Sequence, residues 1–269
     1  MKKDETRSVN EKGGKEERQN VSNNRCLILS QQVRGGWGPG VLSFISFFVS
    51  PPFFSQIVFH IRNYRGTVRI ERYTPKGIIQ VCILKGKGLY VYGGRRLEAG
   101  MYRFRAGDKV VEIPVGAARS FRITADYQSR DIQTSVEISG SSDNVMYQEF
   151  LMQDSVRERI EYWSEHHSEV QDPFIRACME ALLPVVVPPG LNGPGIRKYI
   201  EKHYFDHIDF SMELLVNTPF LQQRITYFFM RILPGDRDNS GYREEMLKRA
   251  TEGKVHKVVV GILSRIPQG

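Results

Sequence analysis

The sequence predicts an α+β protein, an N-terminal antiparallel β-sandwich or open barrel followed by a C-terminal helical domain. Three observations carry that expectation. Apolar residues alternate with period two from Gln56 to Ile138, the period becomes helical after Gly140, and 41% hydrophobic residues in a chain of 269 is enough for a real core.

The β part reads in order as the runs IVFHIRNY, TVRIERY, IIQVCIL, LYVY, MYRFRA, KVVEIPV, SFRITAD and SVEIS, each rich in β-branched and aromatic residues. Turn residues separate them at Arg65-Gly66, Pro75-Lys76-Gly77, Gly86-Lys87-Gly88, Gly93-Gly94 and Gly107-Asp108. Short strands at spacings of about 8–12 residues, without helices between them, indicate an antiparallel sandwich or open barrel. On MYRFRA, Tyr102 and Phe104 are expected to face inward, which sends Arg103 and Arg105 to the outside of the sheet.

Asp143 or Asn144 is expected to cap a helix running to about Trp163, with Val145, Met152, Val156, Ile160 and Trp163 as its apolar stripe. Phe174, Cys178, Ala181 and Leu182 form a second stripe, ended by Pro184, and PVVVPPGLNGPG is a rigid link. Further helices are expected from Ile196 to about Phe205, from Thr218 to Leu233 and from Gly241 to Thr251. KVHKVVVGILSRI also reads as a helix, against its β-branched content.

Four regions follow: a disordered polar tail over residues 1–40, a signal-peptide-like segment over 41–55, the β-domain over 56–139 and the helical domain over 140–269. Residues 1–25 are almost free of large apolar side chains and cannot offset the entropy of ordering. VLSFISFFV (41–49) is too short to span a bilayer, which takes about 20 residues, but suits a secretory core cleaved between Ser55 and Gln56. Its long polar preface fits a translation start further in; a buried strand is the other reading of VLSFISFFV. The secretory reading implies the periplasm or cell envelope. Residues 56–127 hold 14 Lys/Arg against 5 Asp/Glu, and residues 128–269 hold 16 against 20. This imbalance predicts an acidic partner or attraction between the two halves, with solvated faces of unequal sign as the bland explanation.

Little of the sequence suggests catalysis. Cys26, Cys82 and Cys178 form no CxxC pair, and no Ser or Cys has a nucleophile signature. His203 and His207, in KHYFDHIDFSMELLVNTPF, have the i,i+4 spacing of a zinc helix, but Lys202 and Tyr204 stand where a catalytic Glu would. A helix corner explains the stretch more simply, with Ser211 capping the MELLV turn and Thr218-Pro219 starting the next helix. No cofactor is expected. Arg95, Arg96, Arg103 and Arg105 are the candidates for contact with a partner; nucleic acid is disfavoured because aromatics and arginines alternate onto opposite faces.

EAGMYRFRAGDKVVEIPV, EISGSSDNVMYQEFL and IEKHYFDHIDFSMELLVNTPFLQQRITYFFMRIL together resemble the region upstream of the thioredoxin-like domain in secreted thiol–disulfide interchange proteins of Gram-negative anaerobes. The resemblance spans roughly residues 56–265 and rests chiefly on the second and third stretches. It implies a small β-domain, a helical segment and a C-terminal thioredoxin domain that carries the active cysteines. Ile266-Pro267-Gln268-Gly269 stand where that domain would begin, so no catalytic residue carries over. The expected function is a non-catalytic accessory or docking module, its partner a protein or the missing thioredoxin domain. The alternative is a stand-alone envelope protein that binds an acidic glycan or lipid head group.

Overall fold

The computed structural model describes residues 54–118, 120–233, 238–250 and 253–267. The expected tail and nearly all of the leader-like segment lie outside the described residues. Eight strands follow one another: β1 (Phe54–Arg62), β2 (Gly66–Thr74), β3 (Gly77–Gly86), β4 (Leu89–Arg95), β5 (Gly100–Ala106), β6 (Lys109–Val115), β7 (Ser120–Asp126) and β8 (Glu137–Ser139). They form two four-stranded sheets with orders β4-β1-β7-β8 and β3-β2-β5-β6. The architecture is therefore a sandwich rather than an open barrel. Ile57, Val68, Ile70 and Ile113 are wholly buried between the sheets, and the Phe59 and Phe104 rings meet across the core with centroids 4.2 Å apart.

One ladder departs from the antiparallel expectation. β1 and β7 run parallel from Gln56 opposite Ser120 to Arg62 opposite Asp126, which the long connection through the second sheet permits. Tyr102 and Phe104 point inward as their alternation requires, and Arg103 and Arg105 point outward.

The helical part comprises α1 (Ser142–Leu151), α2 (Val156–His166), α3 (Pro173–Glu180), α4 (Gly193–His203), α5 (Pro219–Tyr227), α6 (Ser240–Arg249) and α7 (Lys254–Leu263). The single helix expected up to Trp163 is two. Ser155 starts α2 with a capping box, accepting from the Glu158 amide while the Glu158 carboxylate accepts from its own. The break displaces the expected stripe: Met152 and Val156 are exposed, and α1 buries Tyr147 and Phe150 instead. Ser141, not Asp143 or Asn144, caps α1.

A polar junction joins the sandwich to the helices. Asn144 Nδ2 donates to the Pro114 carbonyl at 2.6 Å, and Gln148 and Gln133 exchange bonds of 2.9 Å. Asp172 Oδ1 caps α3, accepting from the Phe174 and Ile175 amides at 2.9 and 3.1 Å, while its Oδ2 accepts from the Ala117 amide. The fit is close enough that a Cβ on Gly116 would sit 2.1 Å from that oxygen. Met101, on the outer side of β5, is buried in the helical core.

Candidate functional site

The corner holding the two histidines is built by helix termination. α4 ends at His203, and Asp206 N–H then donates to the His203 carbonyl at 3.2 Å in a turn. His207 therefore lies beyond the helix, and the i,i+4 ligand geometry does not form. His203 pairs through Nδ1 with Asp206 Oδ2 at 2.6 Å and stacks on Tyr199 at 4.2 Å. Burial holds the His207 imidazole below its ordinary pKa, and the Arg224 charge adds to the effect against the opposing pull of Asp206. Among the described residues, no group of three His, Cys, Asp or Glu side chains is placed to hold a metal ion. Contrary to the expectation from sequence, Ser211 does not cap the MELLV segment; its amide and hydroxyl both donate to Asp209. Thr218 does cap α5: its hydroxyl donates to the Leu215 carbonyl at 2.8 Å and accepts from the Phe220 amide at 3.3 Å.

The four candidate arginines do not converge. Arg95 and Arg96 are exposed at and just beyond the end of β4, whereas Arg103 and Arg105 lie on β5 in the other sheet. Arg103 reaches Glu71 and Glu112 at 3.5 and 3.4 Å, and Arg105 reaches Glu71 at 3.2 Å. Those two arginines are engaged in a cross-strand ladder on the outer face of their sheet. Neither cysteine among the described residues is disulfide-bonded. Cys178 is wholly buried on α3, and burial, with Asp172 nearby, drives its thiol far above the ordinary range.

The strongest candidate site is an open groove of about 1250 Å3 where the β2–β3 hairpin tip faces α5 and α7. Its floor is apolar and buried, with Val216, Phe220 and Leu221 beneath it and Tyr204 at one side. Its rim is apolar and exposed: Ile78 on the hairpin, Tyr227 at the end of α5 and Met230 just after it. A π-helical turn, Phe228–Ile232, continues α5. It sends Phe228 and Phe229 into the core and leaves Met230 and Arg231 on the groove side, an arrangement that recurs at functional sites. On α7, Lys257 and Gly261 lie one turn apart on the groove side, with Arg265 in the turn just beyond the helix, and Val255, Val259 and Ile262 are buried.

The groove's charge is one-sided. Its described lining includes Arg224, Arg231, Lys257 and Arg265 and not one Asp or Glu, in the half of the chain where acidic residues are in excess. Arg224 is committed to the fold, since it donates to the Ala181 carbonyl at 2.9 Å and to that of Leu183 and lies 5.1 Å over the Tyr204 ring. Arg231 and Lys257 are exposed. A second cavity of about 1300 Å3 between α4 and α6 mixes the signs, with Arg197, Lys198 and Lys202 beside Glu201, Asp238 and Glu245. It presents no comparable preference for one charge. No family model, curated protein or solved structure matches this chain.

The sequence reading did not identify the groove. Its walls come from segments more than a hundred residues apart, a hairpin tip at Thr74–Ile78 and helices after Pro219. The available signal was local: Lys257, Gly261 and Arg265 at helical spacing in KVHKVVVGILSRI, a stretch whose β-branched content obscured its helix.

Proposed function

We propose that the chain is a non-catalytic docking module that works in the cell envelope beside a thioredoxin-like thiol–disulfide interchange domain. The observation that carries the docking half is the groove, open along its length, apolar in floor and rim, and set between two parts held together by a buried polar junction. Such a lining suits a protein segment, because large apolar side chains exposed on a folded surface mark interaction sites. The thioredoxin-like half rests on the resemblance of the EISGSSDNVMYQEFL and YFDHIDF…NTPF stretches. The buried, high-pKa thiol of Cys178 supports a role other than thiolate attack. No helix among the described residues is long and apolar enough to cross a membrane.

The one-sided charge of the groove also supports the alternative, a stand-alone envelope protein that binds an acidic glycan or lipid head group. The extent of apolar lining weighs toward a protein. A photo-crosslinking amino acid at Tyr227, exposed on the rim, separates the two in envelope extracts. An adduct containing a thioredoxin-fold protein with a CxxC motif supports the docking module. Adducts confined to lipid or glycan would replace it with the alternative.

A further inference from the structure

We infer that the occupant of the groove is an acidic amphipathic helix of a protein partner, laid along α5 and α7 with its backbone closest at Gly261. The inference rests on the docking reading and names the chemistry of what docks. Three independent features of the groove point the same way.

The first is shape. Tyr227 closes α5 and Met230 and Arg231 follow on its π turn, while Lys257 and Gly261 lie one turn apart on α7 with Arg265 just past its end, so these two segments line a trough. A third helix packs into such a trough by setting its ridges between theirs. Strand addition needs a free sheet edge running along the site; β3 is an edge strand, but only its first residues, Gly77 and Ile78, reach the groove.

The second is charge. Four cations and no carboxylate among the described lining residues set up a field that attracts acidic side chains and rejects basic ones. Exposed Arg231, on the turn after α5, and Lys257, on α7, line the groove together with Tyr227, Met230 and Val258. A helix with one apolar face, flanked by Glu or Asp, satisfies both sets at once.

The third is Gly261. It lies in the last turn of α7, one turn after Lys257, and a Cβ built there meets nothing within 4 Å. Its φ is not in the left-handed region, so neither backbone conformation nor packing within the chain requires glycine. A glycine within a helix nevertheless favours the helix less than alanine does, even in its last turn. Close approach by an outside backbone explains the glycine, as small residues do where helices cross tightly.

The test uses the full chain and synthetic helical peptides of about 18 residues, near 27 Å long, in Leu/Glu, Leu/Gln and Leu/Lys versions, followed by fluorescence anisotropy. The Leu/Glu peptide should bind at least about tenfold more tightly than the Leu/Lys peptide, and the preference should shrink as salt rises. Arg231→Glu with Lys257→Glu should cost the Leu/Glu peptide about tenfold and abolish the preference. Gly261→Gln should raise the melting temperature yet weaken binding of the Leu/Glu peptide by about tenfold or more, so a folding defect cannot mimic the result.

Equal affinity for all three peptides, with binding still lost on Tyr227→Ser and Met230→Ser, would keep the docking reading and overturn the acidic occupant. Leu/Glu binding that Gly261→Gln leaves intact would overturn the close crossing. Binding to phosphatidylglycerol vesicles in place of every peptide, self-association blocked by the same substitutions, or no binding to any probe would overturn both the inference and the protein-docking reading it rests on.

Discussion

The Asp172 carboxylate tests most directly whether the sandwich and the helices are one cooperative unit. Its Oδ1 accepts two amides at the start of α3, and its Oδ2 accepts the Ala117 amide from the β6–β7 connection. Asp172→Ala removes the cap, worth about 1 kcal/mol, and a hydrogen bond to a charged acceptor, worth about 1.5 kcal/mol at the lower end. The expected loss is therefore about 2.5 kcal/mol, a large part of a typical folding free energy of about 5–15 kcal/mol. Asp172→Asn keeps the capping oxygen but turns an amino group toward the Ala117 N–H, and it should cost about 1.5 kcal/mol. Gly116→Ala should cost about 2 kcal/mol by overpacking, because the new methyl would stand 2.1 Å from Asp172 Oδ2. With Asp172→Ala in the background that clash is gone, so the double variant should lose less than the two single losses combined. Urea unfolding followed by far-UV circular dichroism measures the wild type and all four variants. A loss below about 1 kcal/mol for Asp172→Ala, with additivity to within about 0.5 kcal/mol, would refute the junction as described.

Thr218→Ala should destabilise the chain by about 1 kcal/mol in the same assay, through loss of the α5 cap. Cys178 should resist alkylation in the folded chain and react only in denaturant, as peptide mass spectrometry would show, and the chain alone should not reduce insulin disulfides above background. His207 has a folded-state pKa below its ordinary 6.5, so the unfolded chain takes up the proton first. Its contribution is thus fully present above pH 6.5 and is lost as pH falls through the folded-state value; His207→Gln should flatten that part of the stability profile relative to wild type. Glu180 acts in the opposite sense at lower pH, its carboxyl raised from 4.5 chiefly by burial, so the informative quantity is the difference between the two His207 forms. Envelope-derived protein should begin near Gln56 by N-terminal sequencing; because Phe54 and Ser55 open β1 opposite Arg95 and Gly94, that cleavage would shorten the strand's first pairings.

What could be read from the sequence divides along the distance over which each signal acts. All eight strands lie where the period-two runs placed them, because alternation such as Tyr102-Arg103-Phe104-Arg105 is decided within one strand by which face meets the core. Sheet partners are decided between strands far apart, and nothing in IVFHIRNY or SFRITAD announced that they would run parallel. The split between α1 and α2 was locally written, as Ser155 and Glu158 spell a capping box, but the spacing Met152, Val156, Ile160 imitates one continuous stripe across it. The histidine corner was legible for a related reason: terminators and caps are short-range chemistry, and Thr218-Pro219 starts α5 where they predict.

The groove obeys the opposite logic, and that separates it from the candidates chosen by sequence. Arg103 and Arg105 drew attention because they cluster along the chain, yet clustering in a β-rich segment placed Glu71 and Glu112 across the strands from them, and each arginine found a partner. Arg231, Lys257 and Arg265 are scattered through a segment of net negative charge and would be dismissed on composition. Folding brings them to one surface from α7 and the turns that follow α5 and α7, and leaves that surface without a carboxylate among its described residues. If basic residues were simply keeping the surface soluble, acidic neighbours would be expected among them, as the mixed second cavity shows. Segregation of sign across elements this far apart, at a place where Tyr227, Met230 and Ile78 are left exposed and a helix tolerates an otherwise unneeded glycine, is better explained by an acidic surface that arrives from outside.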